Sequence, residues 1–89
     1  MKKEEAINII LNELQSAENK WPGWPVDPIH AAGVLIEEAG ETMQACLDYS
    51  YSEGDIQCII DEAKQTGAMA IRLLINIKNY KRIKSYQER

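Results

Sequence analysis

From Ile7 to Trp21, apolar side chains recur at three- and four-residue steps: Ile7, Ile10, Leu11, Leu14, Ala17 and Trp21. Polar residues fill the positions between, as in an amphipathic helix with one packing face. The stretch KWPGWPVDP follows, and Pro22, Pro25 and Pro28 rule out a continuous helix through it. Asp27 then Pro28 is a start signal, with an N-cap carboxylate followed by proline at the first helical position. A second helix is predicted from about Ile29 to Tyr51. Ile29, Gly33, Ile36, Ala39/Gly40, Met43 and Leu47 line its main face, and Ala31, Leu35, Thr42, Ala45, Cys46 and Tyr49 widen it. Ser52-Glu53-Gly54 ends this helix, and Asp55 caps a third that runs from about Ile56 to Tyr80 or beyond.

The third helix is also broadly apolar. Ile59, Ile60, Ala63, Gly67, Ala70, Leu73, Leu74 and Ile77 make its main face, with Ala68, Ile71 and Ile75 on the flanks. Gly33, Gly40 and Gly67 each cost about 1 kcal/mol in a helix interior, and point to close helix contacts ahead of a local irregularity in the second helix. No stretch alternates strictly as a strand would. The expected fold is all-α: a bundle of three main helices, with a short fourth made by the tail. Two helices with apolar surface on more than one side predict a bundle completed by oligomerisation, a homodimer at least.

Length and charge narrow the picture. The 89 residues suffice for one domain, 1–89. Lys78, Lys81, Arg82, Lys84 and Arg89 against Glu88 give residues 78–89 a net charge of +4, so the rest carries −8 of the total −4. An acidic body disfavours binding to a nucleic-acid polymer, and the basic end offsets a helix dipole. No apolar run approaches the ~18–20 residues of a membrane span, and MKKEEAINII lacks a secretory apolar segment. Cys46 and Cys58 sit singly in apolar helical patterns, as buried thiols of a reducing compartment do. The expected location is cytoplasmic, with no membrane partner.

The chemistry lies in the acidic residues. Glu37, Glu38 and Glu41 crowd about one turn of the second helix, where like charges cost roughly 0.2–0.5 kcal/mol per exposed pair. Glu38 and Glu41 share a face at a three-residue step, and Glu62 and Gln65 repeat that step on the third helix. Below Glu62 and Gln65 the face stays mostly polar through Met69, Arg72, Asn76 and Asn79. If the two motifs face each other, several carboxylates meet, and an all-oxygen site suits Mg²⁺, Mn²⁺ or Ca²⁺. The bland alternative is a set of solvated helix surfaces. Trp21 and Trp24 either stack on a base or plug the bundle end or a subunit contact. His30 either touches a ligand or sits on the surface. Arg72 either meets phosphate or neutralises Glu62.

The segments DPIHAAGVLIEEAGETMQACLD and IIDEAKQTGAMAIRLL together resemble the MazG-like, all-α nucleoside triphosphate pyrophosphohydrolases, over about Trp21 to Ile77. That family carries Glu-x-x-Glu on one helix and Glu-x-x-Asp on the next. Glu38-Ala-Gly-Glu41 matches the first, and Glu62-Ala-Lys-Gln65 matches the second except that Gln65 replaces Asp. The resemblance implies Mg²⁺-dependent hydrolysis of an NTP or dNTP to the monophosphate and pyrophosphate, with Mn²⁺ as a substitute ion. It implies Glu38, Glu41, Glu62 and Gln65 as the metal set, and a homodimer or homotetramer. Glu37 and Glu38 are the candidate catalytic carboxylates, with Glu37 free to orient or deprotonate water. Arg72, Asn76 and Trp24 are the candidate substrate contacts. Gln65 brings no charge, which motivates the alternative of a non-catalytic nucleotide-binding or dimerisation module.

Overall fold

A computed structural model describes residues 1–82. Among them are three α-helices, α1 (Lys3–Lys20), α2 (Pro28–Tyr51) and α3 (Ile56–Ile75), followed by a single 3-10 turn at Ile77–Asn79, and no strand. The helix starts follow the capping logic of the sequence. The Asp27 and Asp55 side chains accept from the backbone N–H groups of Ile29 and Gln57, each at 2.9 Å. Between α2 and α3 the Gly54 N–H donates to the Asp48 carbonyl at 3.1 Å, folding the chain tightly back on the helix end. A Cβ at Gly54 would lie 2.8 Å from the Asp48 carbonyl carbon, so only glycine fits this turn without a shift.

The third helix ends at Ile75, several residues short of the expected Tyr80. Its end is drawn back onto the proline-rich segment. The Asn76 amide donates to the Arg72 carbonyl at 2.9 Å. The Tyr80 hydroxyl donates to the Leu73 carbonyl and accepts from Trp24 Nε1, both at 2.9 Å. The Lys81 N–H donates to the Val26 carbonyl at 2.9 Å. A straight helix could not deliver Tyr80 and Lys81 to these partners. The expected short fourth helix of the tail falls largely on residues 83–89, outside the described residues.

The central helix is α3, which packs against α1 on one flank and α2 on the other. The core is built from small side chains: Ala31 and Ala68 are fully buried, and Ala17, Ala45 and Met69 nearly so. Leu14, Trp24, Val34 and Leu35 pack around Ala17, Ala68 and Met69. Gly67 meets the Ile10 side chain, whose Cδ1 would be 2.9 Å from an added Cβ, so α1 approaches α3 closely there. Gly33 and Gly40 face open space, contrary to the expected close contacts. The expected main face of α2 is exposed altogether, because Ala31, Leu35, Thr42 and Ala45 are the residues turned to α3. On α3 the buried side is likewise the polar stripe with Ala68, Met69 and Arg72, while Leu74, and Ile77 in the 3-10 turn beyond, are exposed. Both cysteines are free; Cys58 is exposed rather than buried, and Cys46 is half-buried. No helix of the described residues is long and apolar enough to cross a membrane.

Candidate metal centre and cleft

Glu38 sits mid-way along α2 on the side turned to α3, and Glu62 lies in the second turn of α3. With Glu41 they bring carboxylate oxygens within 4.8 Å of one another. One oxygen of Glu38 and one of Glu62, Oε2 in each, are buried without a hydrogen-bond partner. Such oxygens are costly to leave unsatisfied. Burial holds the Glu38 carboxyl above the usual carboxylate range, helped by the charges of Glu41, Glu62, Glu37 and Glu13. Glu62 is raised as well, first by burial, then by its contact with and the charge of Glu41, then by Asp61. Three carboxylates meet here, with Glu41 exposed and Glu38 and Glu62 half-buried, in an oxygen-only cluster.

A threonine pair sets the register of the two glutamates. Thr42 and Thr66 Oγ1 atoms lie 2.9 Å apart across the α2–α3 interface. Each is also within hydrogen-bond distance of the carbonyl one turn back, Thr42 with Glu38 at 3.1 Å and Thr66 with Glu62 at 3.2 Å. Sequence reasoning missed this latch, although a signal was available. Glu38-Ala-Gly-Glu-Thr42 and Glu62-Ala-Lys-Gln-Thr66 are local echoes of each other. Each Glu is followed by a Thr four residues on, on the same helix face. Gln65 occupies the position in α3 that Glu41 holds in α2.

Glu38 also forms part of the wall of a cleft of about 580 Å³. The cleft is bounded by the end of α1, the proline-rich segment, the start of α2, and Gln65, Met69 and Arg72 of α3. Trp21, Trp24, Val34 and Met69 give it apolar wall, while Lys20, His30 and Glu13 are polar members. Its volume is in the range of small-molecule sites.

Arg72 lies in this wall, only 4% exposed. Its Nη2 donates to the Trp21 carbonyl and, at 3.2 Å, to the Gly23 carbonyl. Its guanidinium carbon stands 5.0 Å from the Trp24 ring centroid. The side chain therefore clamps the proline-rich segment onto α3, and it forms no ion pair with Glu62. Trp24 is held from both sides, by Arg72 and by Tyr80. Trp21 is 67% exposed, so it plugs nothing in this chain, and it presents its indole to the cleft.

The remaining candidates fall elsewhere. Glu37 is exposed and belongs to neither the cluster nor the cleft wall, about 100° around α2 from Glu38. Asn76 caps α3 and does not line the cleft. Gln65 lines the cleft, and its amide nitrogen donates to the Asp61 carbonyl at 3.2 Å. Asp61 is turned away from the cluster, receiving Gln57 Nε2 at 3.0 Å and Lys64 Nζ at 3.7 Å. Lys64 also reaches Glu13 at 3.7 Å, a link from α3 to α1. No family model, curated protein or solved structure matches this chain.

Proposed function

We propose that the protein is a Mg²⁺-dependent nucleoside triphosphate pyrophosphohydrolase that works as a homo-oligomer. The observation that carries the reading is the meeting of Glu38, Glu41 and Glu62, with one buried oxygen of Glu38 and one of Glu62 lacking a partner, and Glu38 also in the wall of a cleft. The donor set fits a hard dication: every donor is a carboxylate oxygen, and Glu38 and Glu62 each carry an oxygen withdrawn from water. Glu38, Glu41 and Glu62 would hold Mg²⁺, or Mn²⁺ in its place. Bound there, the ion supplies charge neutralisation for the phosphates and a more acidic water.

The net reaction is addition of water across the α–β phosphoanhydride. An oxygen–phosphorus bond forms at the α-phosphorus, the anhydride bond breaks, and pyrophosphate leaves. Glu38 is the carboxylate that both joins the cluster and faces the cleft, so it is the residue that orients or deprotonates the attacking water. Trp21, Trp24 and Val34 offer flat or apolar wall for a nucleobase. Arg72 positions that wall through the Trp21 and Gly23 carbonyls.

The test is pyrophosphate release from a panel of NTPs and dNTPs with Mg²⁺ or Mn²⁺. Turnover should vanish with EDTA and fall at least a hundredfold in Glu38→Gln and Glu62→Gln, each still folded by circular dichroism. No turnover on any member of the panel overturns the hydrolase reading. Gln65 supports a second reading, a nucleotide-binding module without hydrolysis, because its amide adds no charge to the cluster. Tight binding of an unhydrolysed dNTP would select that reading, and recovery of turnover in Gln65→Asp would trace the loss to this position.

A further inference from the structure

The proline-rich segment forms one wall of the cleft, yet it has little with which to hold its own shape. Residues 21–27 belong to no helix or strand, and Pro22 and Pro25 have no backbone N–H to give. Its fastenings come from far along the chain. Arg72 takes the Trp21 and Gly23 carbonyls, and the Lys81 N–H donates to the Val26 carbonyl at 2.9 Å. Between these ties stands Trp24, half-buried, whose indole has one N–H donor and no acceptor. The Tyr80 hydroxyl accepts that N–H at 2.9 Å and donates its own hydrogen to the Leu73 carbonyl at 2.9 Å.

The turn that delivers Tyr80 is built locally. The Asn76 side-chain amide donates to the Arg72 carbonyl at 2.9 Å, and the Asn76 carbonyl accepts from the Asn79 N–H at 2.9 Å. The chain therefore leaves the α3 axis through the 3-10 turn at Ile77–Asn79. Tyr80 follows in extended backbone, φ −72° and ψ 142°, and reaches a tryptophan 56 positions earlier in the chain. Trp24 and Arg72 line the cleft, whereas Asn76 and Tyr80 do not. A change at the Tyr80 hydroxyl thus removes no atom that a ligand in the cleft would touch.

We propose that Tyr80 is a positioning residue for the cleft: its hydroxyl fixes the indole of Trp24 against Arg72, and so sets the affinity of that wall for a flat aromatic ligand. That the ligand is a nucleobase rests on the hydrolase reading above; the strap from Asn76 to Lys81 does not. An indole already held in place spares the ligand the cost of ordering it.

Tyr80→Phe keeps the ring and removes the one oxygen. Two measurements on the full chain test it: solvent exchange of the Trp24 indole N–H by nuclear magnetic resonance, and steady-state pyrophosphate release from a dNTP. The exposed Trp21 is the internal reference for exchange, and Trp24→Phe assigns the signal. Exchange at Trp24 should quicken while helicity by circular dichroism stays as in the wild type. KM should rise roughly two- to tenfold, the effect of one ordinary hydrogen bond, with kcat unchanged. Adding Tyr80→Phe to Trp24→Phe should raise KM no further, because the hydroxyl acts through the indole. An unchanged KM in Tyr80→Phe, or a further rise on the Trp24→Phe background, overturns the positioning role and leaves the hydrolase standing. A wild type that neither turns over nor binds any dNTP overturns the hydrolase reading and the nucleobase with it. The strap is then decided by the indole: quickened exchange in Tyr80→Phe upholds it, and exchange as slow as in the wild type overturns it.

Discussion

Replacing Arg72 by alanine should damage stability before it damages anything that resembles substrate affinity. The guanidinium is nearly buried and binds two carbonyls of the proline-rich segment. A hydrogen bond involving a charged group contributes roughly 1.5–3 kcal/mol, and a desolvated cation–π contact about 1–2 kcal/mol more. The buried charge was itself expensive to desolvate, which returns part of that sum. A net loss of about 2–4 kcal/mol is expected. A chain of 89 residues has total stability on the order of 4–13 kcal/mol, so the variant loses a large share of it. Urea unfolding followed by tryptophan fluorescence is the assay, since Trp24 lies against the guanidinium. Arg72→Lys should recover little, because a point ammonium cannot span both carbonyls and stack on the ring. A loss below about 0.5 kcal/mol, the size of an ordinary surface substitution, would refute the clamp.

Two further outcomes follow from the same geometry. The raised Glu38 and Glu62 carboxyls make the metal-free fold bind protons more readily than the unfolded chain does. Their contribution to stability is thus fully present below the unfolded carboxylate range and is lost as pH rises through their folded values. Thermal melts in EDTA should show this fall above the ordinary carboxylate range. Glu38→Gln should shrink it, and an unchanged pH profile in that variant would contradict the assignment. Gly54→Ala should cost about 1–3 kcal/mol, because its Cβ would meet the Asp48 backbone at 2.8 Å and backbone cannot swing aside. A neutral alanine in urea unfolding would show that the turn has room.

The helices were legible because their signals are local. Asp27-Pro28, Asp55 and the glycine at position 54 each act within one turn of chain, and α2 begins and ends where they place it. The meeting of Glu38 with Glu62 was legible for a related reason: carboxylates on apolar helices need a reason to be there. What escaped the sequence was which side of each helix faces which neighbour. Periodicity counts apolar positions but assigns no partner, so Ile29, Ile36, Met43 and Leu47 read as the main face of α2 although α3 takes the alanine side. The end of α3 escaped because Tyr80 and Lys81 answer to the Trp24–Val26 segment, more than fifty residues away. Arg72 read as a contact to phosphate or to Glu62 for the same reason, since its carbonyl partners at Trp21 and Gly23 carry no mark in the sequence.

The proposed hydrolase needs Glu38, Glu41 and Glu62 to act together as one cation site. Electron paramagnetic resonance of Mn²⁺ titrated into the nucleotide-free protein at neutral pH tests it most directly. Bound Mn²⁺ should appear, be displaced by Mg²⁺, and be lost when Glu38 or Glu62 becomes glutamine. Free Mn²⁺ throughout, or binding that both glutamine variants retain in full, would contradict it.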